Sequence, residues 1–157
     1  MSQGFVMSEV GHIVNLIPPV DITGGATGDR FSMENWTHAS IIVQVGVSAA
    51  AFTKIILREC DAASGGNAVD IAFTLYAEET ALGDTLGAKE DVAATGRTPS
   101  ANNTIFYVIE LDARHLADGF HWVELALTNG SNSVIGSAVA VLSGGRFANA
   151  LSETVLV

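Results

Sequence analysis

The chain has 157 residues, of which 48% are hydrophobic and only 15% are charged. This length supports one domain with its own core, and a single cysteine, Cys60, excludes an intrachain disulfide framework and a thiolate metal cluster. The net charge of −10 argues against nucleic acid or an anionic membrane as the main partner. Ordinary soluble domains carry about 25% charged residues, so we expect part of this surface to be covered by other copies or by a partner.

The first thirty residues predict an arm, a strand and a loop. Residues 1–10 form the arm, because they are apolar in places but follow no regular period. They lack a basic stretch and a continuous apolar run, so we expect no secretory signal. Residues 12–17 predict a strand that stops at Pro18 and Pro19, which have no amide donors. Residues 20–29 then predict a glycine-rich loop.

The middle of the chain alternates with the period of two that turns one face of a strand inward. A short strand at 30–33 and a turn at 34–35 precede the clearest run, in which Ala39, Ile41, Val43 and Val45 share a face. Further strands are predicted where Ile55 and Leu57 share a face, and where Ile71, Phe73 and Leu75 do. Cys60 lies near the end of the apolar strand that contains Ile55 and Leu57, and this position predicts a buried, unreactive thiol.

The second half begins with a long irregular region, residues 79–103. A loop of this length in a compact domain is usually functional or contains a small strand of its own. Residues 86–92 are the candidate for that strand. Ile105, Tyr107, Ile109 and Leu111 then share a face, and so do Val123, Leu125 and Leu127. A single helical turn is predicted at 113–117. Residues 134–142 are apolar on both sides, as expected for a central or covered strand. The apolar tail 151–157 predicts a strand that pairs with the sheet or with a partner.

About eight strands without helical periodicity predict an all-β fold. We expect a single-domain antiparallel two-sheet sandwich over residues 11–157, preceded by the arm at 1–10. The number of strands and the long connections favour a jelly roll over an immunoglobulin-type sandwich.

Residues suited to catalysis are present but not arranged for it. His12, His38, His115 and His121 follow no metal-ligand spacing, since three ligands must converge on one ion. Glu78 and Glu79 are adjacent on a strand, so their side chains are expected on opposite faces. The glycine-rich loop lacks the Lys and Ser/Thr of a phosphate-binding loop. We therefore expect no catalytic residues, no metal, no cofactor and no enzyme activity.

The aromatic residues leave three interpretations open. Phe106, Phe120 and Trp122 lie on the faces opposite the aliphatic sets of their strands, and Trp36 lies at a turn. Aromatic side chains in such positions pack in a core, anchor a protein interface, or stack against a sugar.

The chain as a whole resembles a family of tailed-bacteriophage virion proteins, the small head decoration or cement proteins. The likeness covers roughly residues 11–157 and is carried by long stretches rather than by a catalytic motif. They are IPPVDITGGATGDRFSMENWTHASIIVQVGVSAAAFTKIILREC, YAEETALGDTLGA, and the run from TPSANNTIFYVIELDA through DGFHWVELALTNGSNSVIGSAVAVLSG.

The resemblance implies a jelly-roll-like protein, made in a bacterial cytoplasm, that binds the outside of a phage head. Its implied partners are the major capsid protein and further copies of itself, as a dimer or trimer, without direct contact to nucleic acid or membrane. The alternatives are a sugar-binding sandwich module, a tail or neck component of the virion, and a cupin-like enzyme. The candidate interface residues are Phe5, Val6, Gly24, Gly25, Trp36, Gly83, Leu86, Trp122, Val155 and Val157.

Overall fold

The computed structural model describes residues 4, 6–48 and 50–146. Within them the chain forms a short helix followed by strands, with one 3-10 turn at Ala113–His115 between the ninth and tenth strands. The elements are α1 (Met7–Val10), β1 (Gly11–Asp21), β2 (Ala26–Thr27), β3 (Phe31–Ser32), β4 (Trp36–Ser48), β5 (Lys54–Cys60), β6 (Ala68–Ile71), β7 (Phe73–Glu78), β8 (Glu90–Val92), β9 (Ile105–Asp112), β10 (Trp122–Thr128) and β11 (Val134–Gly145).

The strands form two antiparallel sheets with the order of a jelly roll. One sheet has the order β1-β11-β4-β9-β7-β8, and the other has the order β2-β10-β5-β6, with β3 also pairing with β10. The pairs are nested along the chain: β1 with β11, β2 with β10, β4 with β9, and β5 with β6. A long hairpin rolled up on itself produces this nesting, which is the double Greek key. The predicted two-sheet sandwich is therefore confirmed.

The core lies between the sheets and takes one face of every long strand. Ile41 and Val43 on β4 are fully buried, and their register partners on β9, Ile109 and Tyr107, are buried with them. The buried residues of β5 and β10, such as Leu57 and its partner Leu125, close the core from the second sheet. The predicted inward sets of 39–45, 55–57, 105–111 and 123–127 are all confirmed.

The sequence predicted that the first strand would stop at Pro18 and Pro19. This prediction was wrong, because the strand continues to Asp21. Its pairing with β11 shifts register between Asn15 and Ile17 and again between Ile17 and Val20. β1 is the outermost strand of its sheet, so the prolines sit where irregular pairing and missing donors are tolerated.

Two further predictions in the middle of the chain were wrong in their boundaries. The run containing Ile71 and Phe73 is not one strand, because the chain passes from one sheet to the other at Ala72. Ile71 pairs with Leu57 on β5, whereas Thr74 pairs with Glu110 on β9. The candidate strand at 86–92 is only β8, Glu90–Val92, because only these residues pair with β7.

The Glu79 carboxylate anchors part of the long region between β7 and β9. It accepts hydrogen bonds from the Arg97 guanidinium at 2.5 Å, from the Tyr107 hydroxyl at 2.7 Å and from the Ser100 amide at 3.0 Å. Burial alone would raise the pKa of Glu79, but the bonds from Arg97 and Tyr107 outweigh it and lower the pKa. Arg97 also exchanges both backbone hydrogen bonds with Ile55, so this region is attached to both sheets.

Candidate interaction surface

Four apolar side chains form a continuous row across the outward face of the six-stranded sheet. They are Val139 on β11, Ile42 on β4, Val108 on β9 and Tyr76 on β7, each the register partner of the next. All four are only partly buried, so each keeps some surface in contact with solvent. We call these four residues the apolar row.

The apolar row follows from strands that carry apolar residues at outward as well as inward positions. β11 and β4 lie inside the sheet, and their outward residues include Ile135, Val139 and Ile42. The outward residues before and after Ile42 on the same strand are polar, namely Ser40 and Gln44. The outward face therefore presents a hydrophobic stripe bordered by hydrogen-bonding groups, the pattern of a protein interface.

A groove of about 520 Å³ opens beside the apolar row, at the start of β11. Leu82 projects over it with 83% of its surface exposed, in a left-handed backbone conformation with φ of +59°. The lining residues are Pro19, Gln44, Val45, Gly46, Leu82, Gly83, Thr104, Ile105, Phe106, Ile135, Gly136 and Ser137.

The turn that carries Leu82 is organised by Glu78. This carboxylate is 5% exposed and accepts hydrogen bonds from the backbone amides of Thr80, at 2.7 Å, and Thr85, at 3.1 Å. A buried carboxylate with two amide donors is satisfied without a cation. Gly83 lies directly against it, where a Cβ atom would collide with the Glu78 carboxylate. The structure thus gives Gly83 a packing role at the edge of the groove.

At the other end of the outward face, His38 lies between two carboxylates. Its Nδ1 is 2.8 Å from Asp112 and its Nε2 is 2.7 Å from Glu110. Burial alone would lower the pKa of His38, but the hydrogen bonds and charges of Asp112 and Glu110 outweigh it and raise the pKa. The same contact, with His38 as the main cause, lowers the pKa of Asp112. This cluster ties β4 to β9.

The His38 cluster does not have the geometry of a catalytic triad or a metal site. Ser40 Oγ lies 3.4 Å from His38 Nε2, but it donates to Glu110 at 2.6 Å, and Glu110 occupies the nitrogen that a general base would need. The two carboxylates contact opposite ring nitrogens, so they cannot bind one ion together with the imidazole. Among the described residues, no three His, Cys, Asp or Glu side chains are placed to hold a metal.

The outward face of the five-stranded sheet is built differently. Arg30, Glu124, Arg58 and Asp70 alternate in charge across it, with successive N–O distances of 3.0, 3.1 and 2.8 Å. We call these four residues the ion row. Arg30 also donates to the backbone carbonyls of Ala62 and Gly65, at 2.9 and 2.5 Å, which holds the 61–66 loop against this face.

Cys60 ends β5 beside the ion row and is fully buried, as the sequence predicted. Burial raises the pKa of its thiol to about 11. The thiolate that would react is therefore scarce at neutral pH.

The candidate interface residues named from the sequence are scattered over the molecule. Val6 is 50% exposed and Leu86 is 43% exposed, while Trp122 is half-buried on β10. Gly24 and Gly25 have positive φ in the turn after β1 and line a different cavity from the groove that Gly83 lines. Phe5, Val155 and Val157 lie outside the described residues.

Trp36 was wrong as an interface residue, since only 2% of it is exposed. Its ring stacks on that of His12, with 6.0 Å between ring centres. It begins β4 and packs within the core, so it is not available to a partner. Of the three interpretations of the aromatics, core packing is correct for Trp36, while Phe106, Phe120 and Trp122 are only half-buried.

The members of the apolar row were not among the residues singled out from the sequence. A signal was present, because 134–142 is apolar on both sides and Ile42 stands outward between two inward residues. The sequence does not reveal the register of strand pairing, and it is this register that places Val139, Ile42, Val108 and Tyr76 next to one another.

Comparisons with known proteins are sparse. No family model matches the chain, and no curated protein matches it. Among solved structures it is similar to the SPBc2 prophage-derived protein YomS, with a TM-score of 0.45 and 14% identity, over 84% of this chain and 95% of that one. A similarity of this size carries no argument about function. Within the described residues, every helix is too short and too polar to cross a membrane.

Proposed function

We propose that the protein is a non-catalytic structural component of a bacteriophage particle, a decoration subunit that binds the outside of the head and stabilises it. The observation that carries the proposal is the apolar row with its adjoining groove. The whole-chain resemblance to decoration proteins agrees with it. The direct partner is the major capsid protein.

The apolar row is suited to binding a protein surface. Hydrophobic side chains that run side by side across four strands are unusual on the solvent face of a monomer. Covering Val139, Ile42 and Val108 would remove apolar surface from water, and Tyr76 offers a hydroxyl group at the margin of the row. Gln44 and Ser137 in the groove supply hydrogen bonds that would orient the partner.

The net charge of −10 favours a partner whose surface is basic. Opposite charges would accelerate encounter with such a surface, and salt would slow this step. The apolar row has no charge, so its contribution to the lifetime of the complex is less sensitive to salt.

Many copies on one closed lattice let modest single contacts suffice. A decoration subunit that bridges two capsid subunits gains affinity because its second contact forms at high effective concentration. Bridges of this kind oppose the outward pressure of packaged DNA. The shell is closed by other proteins, and this one reinforces it.

The proposal is tested with particles assembled with and without the protein. We expect shells to form in both cases and DNA to be released at a lower temperature from particles that lack it. Equal release temperatures would contradict the stabilising role. Failure to form a shell, or labelling of the tail or neck instead of the head, would contradict decoration of a finished shell.

A matched pair of variants tests the surface itself. Ile42→Lys places a charge in the centre of the apolar row, and Val69→Lys places one on β6 of the other sheet, where Val69 is 46% exposed. We expect Ile42→Lys to reduce sedimentation with undecorated shells at least tenfold and Val69→Lys to leave it unchanged. Equal binding by the two variants would exclude the apolar row as the contact.

A further inference from the structure

The turn that follows β1 and the turn that follows β10 are joined by side-chain hydrogen bonds. The Asp21 carboxylate accepts one from Ser133 Oγ at 2.7 Å and one from Thr23 Oγ1 at 2.8 Å. Asn129 joins the same two turns, because its Nδ2 donates to the backbone carbonyl of Ile22 at 3.2 Å. β11 begins directly after the second turn, so these bonds fix its start. We call the side chains of Asp21, Thr23, Asn129 and Ser133 the turn latch.

Asn129 differs from the other members of the turn latch in being open to a reaction with its own backbone. It is followed by Gly130, and this is the only Asn-Gly pair in the sequence. The backbone nitrogen that follows an asparagine attacks its side chain most easily when it belongs to glycine, which has no Cβ atom to hinder the approach. Gly130 is exposed, so water reaches the pair.

In the folded protein the turn latch holds this pair in an unreactive arrangement. Asn129 Nδ2 donates to the carbonyl of Ile22 and, at 2.9 Å, to that of Asn132. The Gly130 amide donates to Asn129 Oδ1 at 2.9 Å, so its N–H is directed at the side-chain oxygen and not at Cγ. The nitrogen can attack Cγ only after the carboxamide rotates, and this rotation breaks the bonds from Nδ2. The reaction therefore requires local opening of the turn.

We propose that Asn129 deamidates spontaneously at a rate set by opening of the turn latch, and that the product prevents the latch from closing again. The Gly130 nitrogen gives up its proton and bonds to Cγ of Asn129, while the Cγ–Nδ2 bond breaks and the amide nitrogen leaves as ammonia. One water molecule then opens the cyclic imide and leaves an aspartyl or isoaspartyl residue. The net change is hydrolysis of one amide by water. The proposal does not rest on the proposed function.

The product cannot take the place of Asn129 in the turn latch. A carboxylate only accepts hydrogen bonds, so it offers no donor to the carbonyls of Ile22 and Asn132. It also adds a negative charge beside Asp21, which is itself charged at neutral pH, because hydrogen bonds, chiefly that from Ser133, lower its pKa to about 2. The modification therefore loosens the start of β11 irreversibly.

The rate is measured on the full chain in native buffer and in urea, at mildly alkaline pH, by peptide mass mapping and detection of isoaspartate. We expect Asn129 to be the first asparagine modified in urea, and its modification to be at least tenfold slower in native buffer. Asp21→Ala should raise the native rate at least threefold and leave the rate in urea unchanged. The milder Ser133→Ala should act in the same direction.

The control for general loss of stability is Glu59→Ala. Glu59 is 6% exposed and accepts a hydrogen bond from the Ala117 amide at 2.8 Å, and it lies near the end of β5 opposite to the one that pairs with Thr128. We expect Glu59→Ala to leave the native rate at Asn129 unchanged. Equal rates in native buffer and in urea, or equal rates in Glu59→Ala and Asp21→Ala, would overturn control by the turn latch. Earlier modification of another asparagine in urea would overturn the site.

The consequence of the modification is tested with two variants that carry the same added charge. Asn129→Asp removes the donors of the turn latch, whereas Asn132→Asp places a carboxylate at an exposed side chain of the same turn. We expect Asn129→Asp to unfold at a lower urea concentration than the wild type and Asn132→Asp to unfold with the wild type. Equal shifts would show that the lost donors do not matter, and would overturn the claim that deamidation breaks the latch.

Discussion

The strands of both sheets alternate between inward and outward residues, but the outward faces of the two sheets differ in charge and in how far the chain covers them. On the five-stranded sheet, the ion row neutralises its own charges and Arg30 holds the 61–66 loop over them. On the six-stranded sheet, the apolar row is left partly exposed, beside a groove under Leu82. One face is completed by the chain itself, and the other presents the surface that we propose a partner covers.

The difference shows how a small number of charges is distributed in this molecule. The chain has only seven Lys and Arg residues. Two of them, Arg30 and Arg58, belong to the ion row. The apolar row contains no charged residue. Removing a charge should therefore matter for stability on one face, and adding a charge should matter for binding on the other.

The largest effect is expected from Glu124→Ala, which removes the carboxylate between two guanidinium groups of the ion row. The Glu124 side chain is 11% exposed and that of Arg30 is 13% exposed, so a charge is left poorly solvated. We expect a loss of about 3 kcal/mol in the free energy of unfolding, measured with urea. The control is Asp70→Ala at the exposed end of the row, expected to cost about 1 kcal/mol or less. Equal losses would show that the burial of Glu124 between the two guanidinium groups does not decide its contribution to stability.

The next effect concerns the turn beside the groove on the opposite face. Glu78→Ala removes a carboxylate that is 5% exposed and that accepts hydrogen bonds from the amides of Thr80 and Thr85. We expect the free energy of unfolding to fall by about 2 kcal/mol. Asp84→Ala, in the same turn but exposed, is expected to change it by about 0.5 kcal/mol or less. If both variants unfold at the same urea concentration, Glu78 does not organise the turn.

A smaller, pH-dependent effect is expected from His38→Asn. The pKa of His38 is raised in the folded protein, so its contribution is complete below the ordinary value of 6.5 and is lost as the pH rises through the folded value. The pKa of Asp112 is lowered, so its contribution is present above 3.8 and lost as the pH falls through its folded value. The loss caused by the variant should be largest between these two pH values.

Because His38 and both carboxylates are about one-third exposed, the His38→Asn effect should reach only about 1 kcal/mol or less. Urea titrations of the wild type and the variant at several pH values measure it. A difference that grows as the solution becomes alkaline would contradict the assignment.

The smallest effect is expected on the apolar row itself. Ile42→Thr keeps the β-branched shape and should change the free energy of unfolding by about 0.5 kcal/mol or less, because Ile42 is only partly buried on an outward face. Ile56→Thr, at an outward position of the other sheet, should cost about 1 kcal/mol, because Gly96 packs against the Ile56 side chain. The reverse order would mean that the six-stranded sheet is the covered one.

Much of the fold could be predicted because alternation is a local property. Ala39, Ile41, Val43 and Val45 had to face one way in any strand, and the structure buries all four. The predictions that failed depended on neighbours. Whether Pro18 ends a strand depends on the strand being at an edge, and whether Ile71 and Phe73 share a strand depends on which sheet each one joins.

The candidate surface was harder to predict than the fold. The glycines and aromatics singled out from the sequence are distinctive residue types, yet Trp36 is in the core and Gly83 supports a turn. The apolar row consists of ordinary strand residues. Val139 and Tyr76 are far apart in sequence, and only the antiparallel register places them on one line.

The sequence by itself determined the all-β class, the inward face of each long strand, the single domain, the buried thiol and the low charge. These depend on period, composition and length, which are properties of segments or of the whole chain. Only the tertiary structure decided which strands lie at edges, where the chain changes sheets, and which outward residues remain uncovered. Those outcomes depend on pairing between distant strands, where a shift of one residue would move every side chain to the other face.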